Sequence, residues 1–288
     1  MTAVLAPARP GADGGRAAFV PLAVRETRRF ARNPVFLFAV AITVAALWAS
    51  RTTVTDIDDG NWVAAIFLGG FGMMAAFWLT RSLRASEPVV GVTPVTLPAR
   101  TAALCTVAVV PFACGGLVLL RFVQLIPVSN AAYGAFSPSA RVAVLVGQIV
   151  IPSLGGPLLG VALGRWVQFP GAAFVLFLLL YGWVSLVTIL AIWHPDSAPV
   201  AVLRLFAPFA FFTYVLNAGA VTTCRGSPWF FLGWQLALCA IAVLVALLRG
   251  AEGPVRARII RALTIAGVAA AILLVLAGIG GFTHAITA

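Results

Sequence analysis

Lysine is missing from this chain of 288 residues, whose 19 basic residues are all arginine. A phosphate-binding P-loop needs its lysine, and Schiff-base catalysis needs an amine nucleophile, so the chain supplies neither chemistry from its own side chains. It also cannot bind ATP through a Walker motif of its own. Acidic residues number only eight, and none falls at the centre of an apolar run. Ion-driven carriers usually place an ionisable group or a broken-helix ion site at mid-membrane, which makes an ion-coupled carrier the weaker alternative here. Histidine occurs twice, at His194 and His284, too dispersed for a haem pair. The four cysteines, Cys105, Cys114, Cys224 and Cys239, form no CxxC pair, and three of them lie inside apolar runs. There a thiol behaves as a small hydrophobe, and zinc spacing is not met. Ser153 and Ser185 have no triad partner in a recognisable motif. No catalytic constellation is visible, so the chain reads as a non-enzyme.

What remains is apolar. Hydrophobic residues make up 62% of the chain and charged residues only 9%. Soluble domains carry about a quarter charged residues, so this composition belongs to an all-α polytopic membrane protein. The net charge of +11 does not mark a nucleic-acid binder, because the arginines cluster beside apolar runs rather than on a polar domain.

The stretch Phe19 to Pro34, FVPLAVRETRRFARNP, sets the orientation. Read as a helix, it puts Arg25, Arg28, Arg29 and Arg32 on one face, with Phe19, Leu22, Ala23 and Phe30 largely opposite. Such a helix beside a membrane span lies in the interface, its arginines on anionic headgroups and its end of the chain in the cytoplasm. Residues 1–18, rich in Ala, Pro, Gly and Arg, read as a disordered cytoplasmic tail.

Seven spans follow, at about 35–50, 62–80, 101–120, 142–164, 171–193, 229–248 and 262–282. Gly69, Gly70 and Gly72 in the second allow close helix approach, and Pro111 suggests a kink in the third. Pro152 and Pro157 around Gly155 and Gly156 predict a kink or break at mid-membrane. Gly156, Gly160 and Gly164 form a small-residue ridge that reads as a packing surface. The apolar segment 199–223 contains Arg204, Pro208 and Asn217. A full crossing there would expel Arg249, Arg256, Arg258 and Arg261, so the reading is a pair of short re-entrant helices on the outer face. Arginines then divide 14 inside to 5 outside, with the N-terminus cytoplasmic and the C-terminus extracytoplasmic. Asp56, Asp58 and Asp59 read as a solvated outer loop rather than a metal site.

The order of these features resembles the membrane subunit of ABC-2 type transporters. The residues that carry the likeness are the basic elbow RETRRFARNP, two spans, the connection RSLRASEPVVGVTPVTLPAR, three further spans, and a Pro-interrupted outer segment before the sixth. It covers about Phe19 to Leu248, so 19–248 would be the ABC-2-like domain and 249–288 a basic loop with an extra span. The resemblance implies a permease in the cell membrane, working as a dimer with a second copy or a paralogue. It implies export of a hydrophobic or amphipathic substrate, energised by a separate ABC-type ATPase that binds ATP and magnesium. It also implies that Arg84, Glu87, Thr93, Pro94 and Arg100 lie in or beside a coupling helix on that ATPase. Glu26, Arg28 and Arg29 of the elbow, with Arg25 and Arg32 beside them, would flank it. The seventh span departs from the family's usual six. Besides the ion-coupled carrier, a non-transporting membrane anchor or assembly subunit is the other alternative.

Overall fold

The computed structural model describes residues 12–49, 63–85, 96–125, 138–193, 203, 206, 214–217, 220–223, 227–279 and 285–287. Helix α1 (Ala12–Ala31) runs to a break at Arg32–Asn33, and α2 (Pro34–Ala49) leaves it at 60°. The local chemistry explains the corner. Asn33 accepts the Val35 N–H on its side chain at 2.9 Å, and Pro34 occupies the first helical position, where no N–H is needed. Helix α1 begins within the stretch expected to be an unstructured tail. Ala12, Ala17 and Ala18 favour helix there, and the helix includes the Gly14–Gly15 pair.

The remaining helices are long. Helix α3 joins a π-helical segment, Ala65–Phe71, to an α-helical one, Gly72–Ala85. Helix α4 joins Leu97–Cys105 and Val109–Leu125 through a 3-10 turn at Thr106–Ala108. Helix α5 comprises Pro138–Leu145, a π-helical Val146–Val150 and Ile151–Trp166. Then come α6 (Ala172–Trp193), α7 (Pro228–Leu248) and α8 (Gly253–Ile279). Among the described residues, five helices are individually long and apolar enough to cross a membrane: α3, α4, α5, α7 and α8. The bent α1–α2 pair is a sixth candidate when taken as one span, and α6 is a shorter apolar helix over Ala172–Val187. The chain is thus a polytopic helical membrane protein.

Helix α5 is the centre of the bundle. A Cβ on Gly69 would lie 2.7 Å from the Pro152 carbonyl oxygen, and one on Gly164 would lie 2.8 Å from the Thr80 Cβ. Between those contacts, Gly156 sits against the Gly69 backbone and Gly160 against that of Met73. The pairing runs in the same direction on both helices, so α3 and α5 are parallel. Lipid is as apolar as leucine, so this backbone approach, through dispersion contacts, is what joins the pair. The ridge is a packing surface, as its spacing indicates. Of the kink or break predicted at mid-membrane, the break is not present. Helix α5 instead passes into π geometry directly before Pro152, where the missing N–H would otherwise interrupt the α-helical ladder, and continues to Trp166.

Buried hydroxyls are satisfied within their own helices. Thr43 donates to Ala39 O at 2.8 Å, Thr80 to Ala76 O at 2.8 Å and Ser153 to Ile149 O at 2.7 Å. Helix α7 packs along α5, and α8 returns antiparallel to α7, with Ser227 N–H on Ala277 O at 3.1 Å. Gly253, at φ +53°, lets the chain reverse between them. The expected loop 249–261 is therefore a tight turn, and Arg256, Arg258 and Arg261 ride on the exposed first turns of α8. At 27 residues α8 is about 40 Å long, enough to carry those turns beyond the hydrocarbon.

One small sheet departs from the all-helical expectation. Strands β1 (Tyr214–Asn217) and β2 (Ala220–Thr223) form an antiparallel hairpin, and β3 (Ala285–Thr287) pairs with β2. These parts of 199–223 are strands rather than short helices. Val215, Val221, Thr222 and Thr223 are β-branched, and the paired backbones satisfy one another. The other described positions of that segment are isolated.

Candidate functional site

Three parallel helices, α3, α5 and α7, bring their C-terminal ends to one end of the bundle. Each presents the carbonyls of its last turn and a negative dipole end there. Arginines answer those of α5. Arg84, half-buried at the end of α3, donates to Arg165 O at 3.4 Å. Arg249 donates through Nη1 to the same carbonyl and to Trp166 O at 3.2 Å. Its guanidinium also lies 5.7 Å from the centre of the Trp166 ring, while Trp166 Nε1 donates to Val245 O at 2.8 Å. Arg165 itself is buried, at 3% exposure.

The start of α4 joins the same end. Thr96 occupies the N-cap position, its backbone extended and its carbonyl accepting Arg100 N–H at 3.1 Å. Leu97 packs on Gly250, where a Cβ would lie 2.9 Å from Leu97 Cγ. Both described ends of the connection 81–100 therefore touch other elements: one touches α5, the other the α7–α8 turn. Arg100 is half-buried on the first turn of α4. Glu87, Thr93 and Pro94 lie outside the described residues.

Helix α1 completes this end by packing on α4, with Thr27 and Thr106 hydroxyls 3.5 Å apart. Phe30 is fully buried against Phe36, ring centres 4.6 Å apart, and holds the corner closed. Arg25, Arg28, Arg29 and Arg32 stand exposed along a concave outer face with Pro21 and Val24. Glu26 does not share that face. It is 2% exposed, turned toward the bundle, and its carboxylate accepts from Arg29 at 3.1 Å. Arg29 is thereby partly neutralised, and the positive potential of the face rests mainly on Arg25, Arg28 and Arg32.

Sequence reasoning located the arginine row and the ends of the connection but missed the Arg249–Arg165–Trp166 contact. Its signal was the Arg165-Trp166 pair closing an apolar run, opposite Arg249 closing another. It also missed a cleft between α3, α5 and α6, walled by Met73, Leu159, Leu180, Tyr181 and Val184. Among the described residues, no three His, Cys, Asp or Glu side chains come together as metal ligands. The opposite end of the bundle carries the three-stranded sheet. Compared with protein-family models, curated proteins and solved structures, the chain matches none.

Proposed function

We propose that this chain is the permease subunit of an ATP-driven exporter, moving a hydrophobic or amphipathic substrate outward under the action of a separate ABC-type ATPase. The observation that carries the reading is the convergence at the arginine-rich end. Both described ends of 81–100, the C-termini of α3, α5 and α7, and the exposed arginine face of α1 all meet there. The positive-inside bias makes that end cytoplasmic, where an ATPase works. The N-terminus is then inside, the sheet and the C-terminal strand outside, and the cell membrane the location. Helix α1 is the interfacial elbow, its arginines on anionic headgroups and on the edge of the ATPase.

Force applied at Glu87 to Pro94 would pass through Arg84 to the end of α5 and through Leu97 to Gly250. The glycine seam makes α3 and α5 move as one body, so a push at one connection shifts the centre of the bundle. A second permease, identical or paralogous, completes the transporter, and ATP with its magnesium sits in the partner ATPase. The two-state cycle then follows from the different affinity of the ATPase for inward and outward arrangements. Affinity purification of the chain from its native membrane tests the reading. Retrieval of a Walker-motif ATPase in a fixed ratio supports it, and a preparation free of any ATPase subunit refutes it.

A further inference from the structure

We propose that the concave arginine face of α1 is a binding site for one lipid with a phosphomonoester headgroup, its phosphate held between Arg25, Arg28 and Arg32. These three side chains are exposed and stand on successive turns, where residues three and four apart have Cβ atoms about 5–6 Å from each other. Among the described residues, none of the three has a carboxylate within ion-pair distance, because Glu26 is turned to the other face and engages Arg29. Like charges at this spacing repel, and an anion between them relieves the repulsion. The four arginines, with Pro21 and Val24, border an open hollow of about 430 Å³. That lies within the range of roughly 300–1,000 Å³ usual for small-molecule sites.

Charge and shape select the headgroup. A guanidinium is a planar fork that grips two oxygens of one phosphate, and the row holds no ammonium group, which would act only as a point charge. A phosphomonoester offers three acceptor oxygens and a charge of about −1.5 to −2 at pH 7, facing three cations. Esterified a second time, the phosphate loses one of those oxygens and part of that charge. The surroundings select a lipid over a free phosphate ester. Val20 and Val24 are 62% and 47% exposed on the same helix as the row. Helix α2 leaves the corner at 60°, with Leu37 and Phe38 exposed on its first turns. The row therefore ends where the apolar surface of α2 begins. A bound phosphate lies at headgroup depth there, and its acyl chains lie against α2.

This site rests on the reading of α1 as an interfacial helix and is independent of the ATPase, because binding is read on the chain alone. The full chain in neutral detergent is titrated with short-chain phosphatidic acid, and bound lipids are counted by native mass spectrometry. The first phosphatidic acid should bind about fivefold more tightly than phosphatidylserine of the same chain length at neutral pH. The difference should vanish at about pH 5, where the monoester takes up a proton while the arginines keep their charge. Arg25→Gln, Arg28→Gln and Arg32→Gln should each weaken this binding about fivefold. Arg256→Gln, on the exposed start of α8, should leave it unchanged. Glycerol phosphate in excess should not displace the lipid. Equal affinity for the two lipids at neutral pH, binding that survives all three α1 substitutions, an equal loss at Arg256, or displacement by glycerol phosphate overturns the proposal.

Discussion

Arg249, just past the end of α7, donates to the main-chain carbonyl of Arg165 in the last turn of α5, and its guanidinium lies over the neighbouring Trp166. One side chain thus ties two helices that belong to different parts of the chain at the end where α1 and α4 also meet. The contact combines a charge-assisted bond to a helix C-terminus with a cation–π interaction. Arg249→Ala should destabilise the chain by about 1–2 kcal/mol, lowering its melting temperature in detergent, whereas Arg249→Lys should lose less. A double-mutant cycle with Trp166→Phe should show coupling of roughly 0.5–1 kcal/mol, because both changes act on one cluster. Additive effects would mean the two side chains act separately.

The glycine seam makes a sharper demand. A valine at Gly156 or Gly160 must displace the backbone of Gly69 or Met73 rather than a flexible side chain. Either substitution should cost about 1–3 kcal/mol, the usual penalty of overpacking, or more where the backbone cannot move. At Gly116 and Gly147 a Cβ would meet nothing within 4 Å, so alanine there should leave thermal stability near that of the wild type. Losses at Gly116 and Gly147 as large as those at Gly156 and Gly160 would show that the α3–α5 approach does not set the effect, since helix propensity alone favours each substitution.

The exposed face of α1 should bind anionic membranes through Arg25, Arg28 and Arg32 more than through Arg29, which is paired with Glu26. Each arginine near an anionic surface contributes about 1 kcal/mol. Single glutamine substitutions in a peptide spanning residues 12–33 should weaken partitioning into phosphatidylserine vesicles by about fivefold at Arg25, Arg28 or Arg32, and by less at Arg29 if the peptide keeps the Glu26 pair. The differences should shrink at high salt. Equal losses at all four sites would show that the pairing does not survive at the membrane.

The sheet ties the C-terminal strand to the hairpin before α7, so both lie at one end of the bundle. In a cysteine-free background, single cysteines at Thr222 and Ile286 should react with an impermeant maleimide on intact cells. A cysteine at Arg256 should react only after permeabilisation. Opposite accessibility of Thr222 and Ile286 would contradict the pairing of β2 with β3.

Periodicity and glycine spacing made the bundle readable. The arginine face of α1, the ridge at Gly156, Gly160 and Gly164, and the spans near α3, α5 and α7 could all be placed from residue types alone. Four features could not. Pro152 marks an interrupted ladder, but a break and a π segment both relieve it, and only the neighbouring helix decides between them. The segment 214–223 is apolar enough for helix or strand, and its partner β3 lies far along the chain. Glu26 falls on the helical face of Leu22, Ala23 and Phe30, but a carboxylate gives no local reason to expect burial; the packing of α1 on α4 buries it, paired with Arg29. The contact of Arg249 with Arg165 was hidden for the same reason.

The proposed drive by a separate ATPase, acting through the connection between α3 and α4, meets its most direct test in proteoliposomes. ATP-dependent transport is measured with the chain and its co-purified ATPase, and compared with Glu87→Ala and Pro94→Ala. Both variants should insert normally and retain ATP hydrolysis while transport per ATP falls by about tenfold or more, roughly 1.4 kcal/mol of lost coupling. Wild-type transport per ATP in both variants, or wild-type transport without any ATPase, would contradict it.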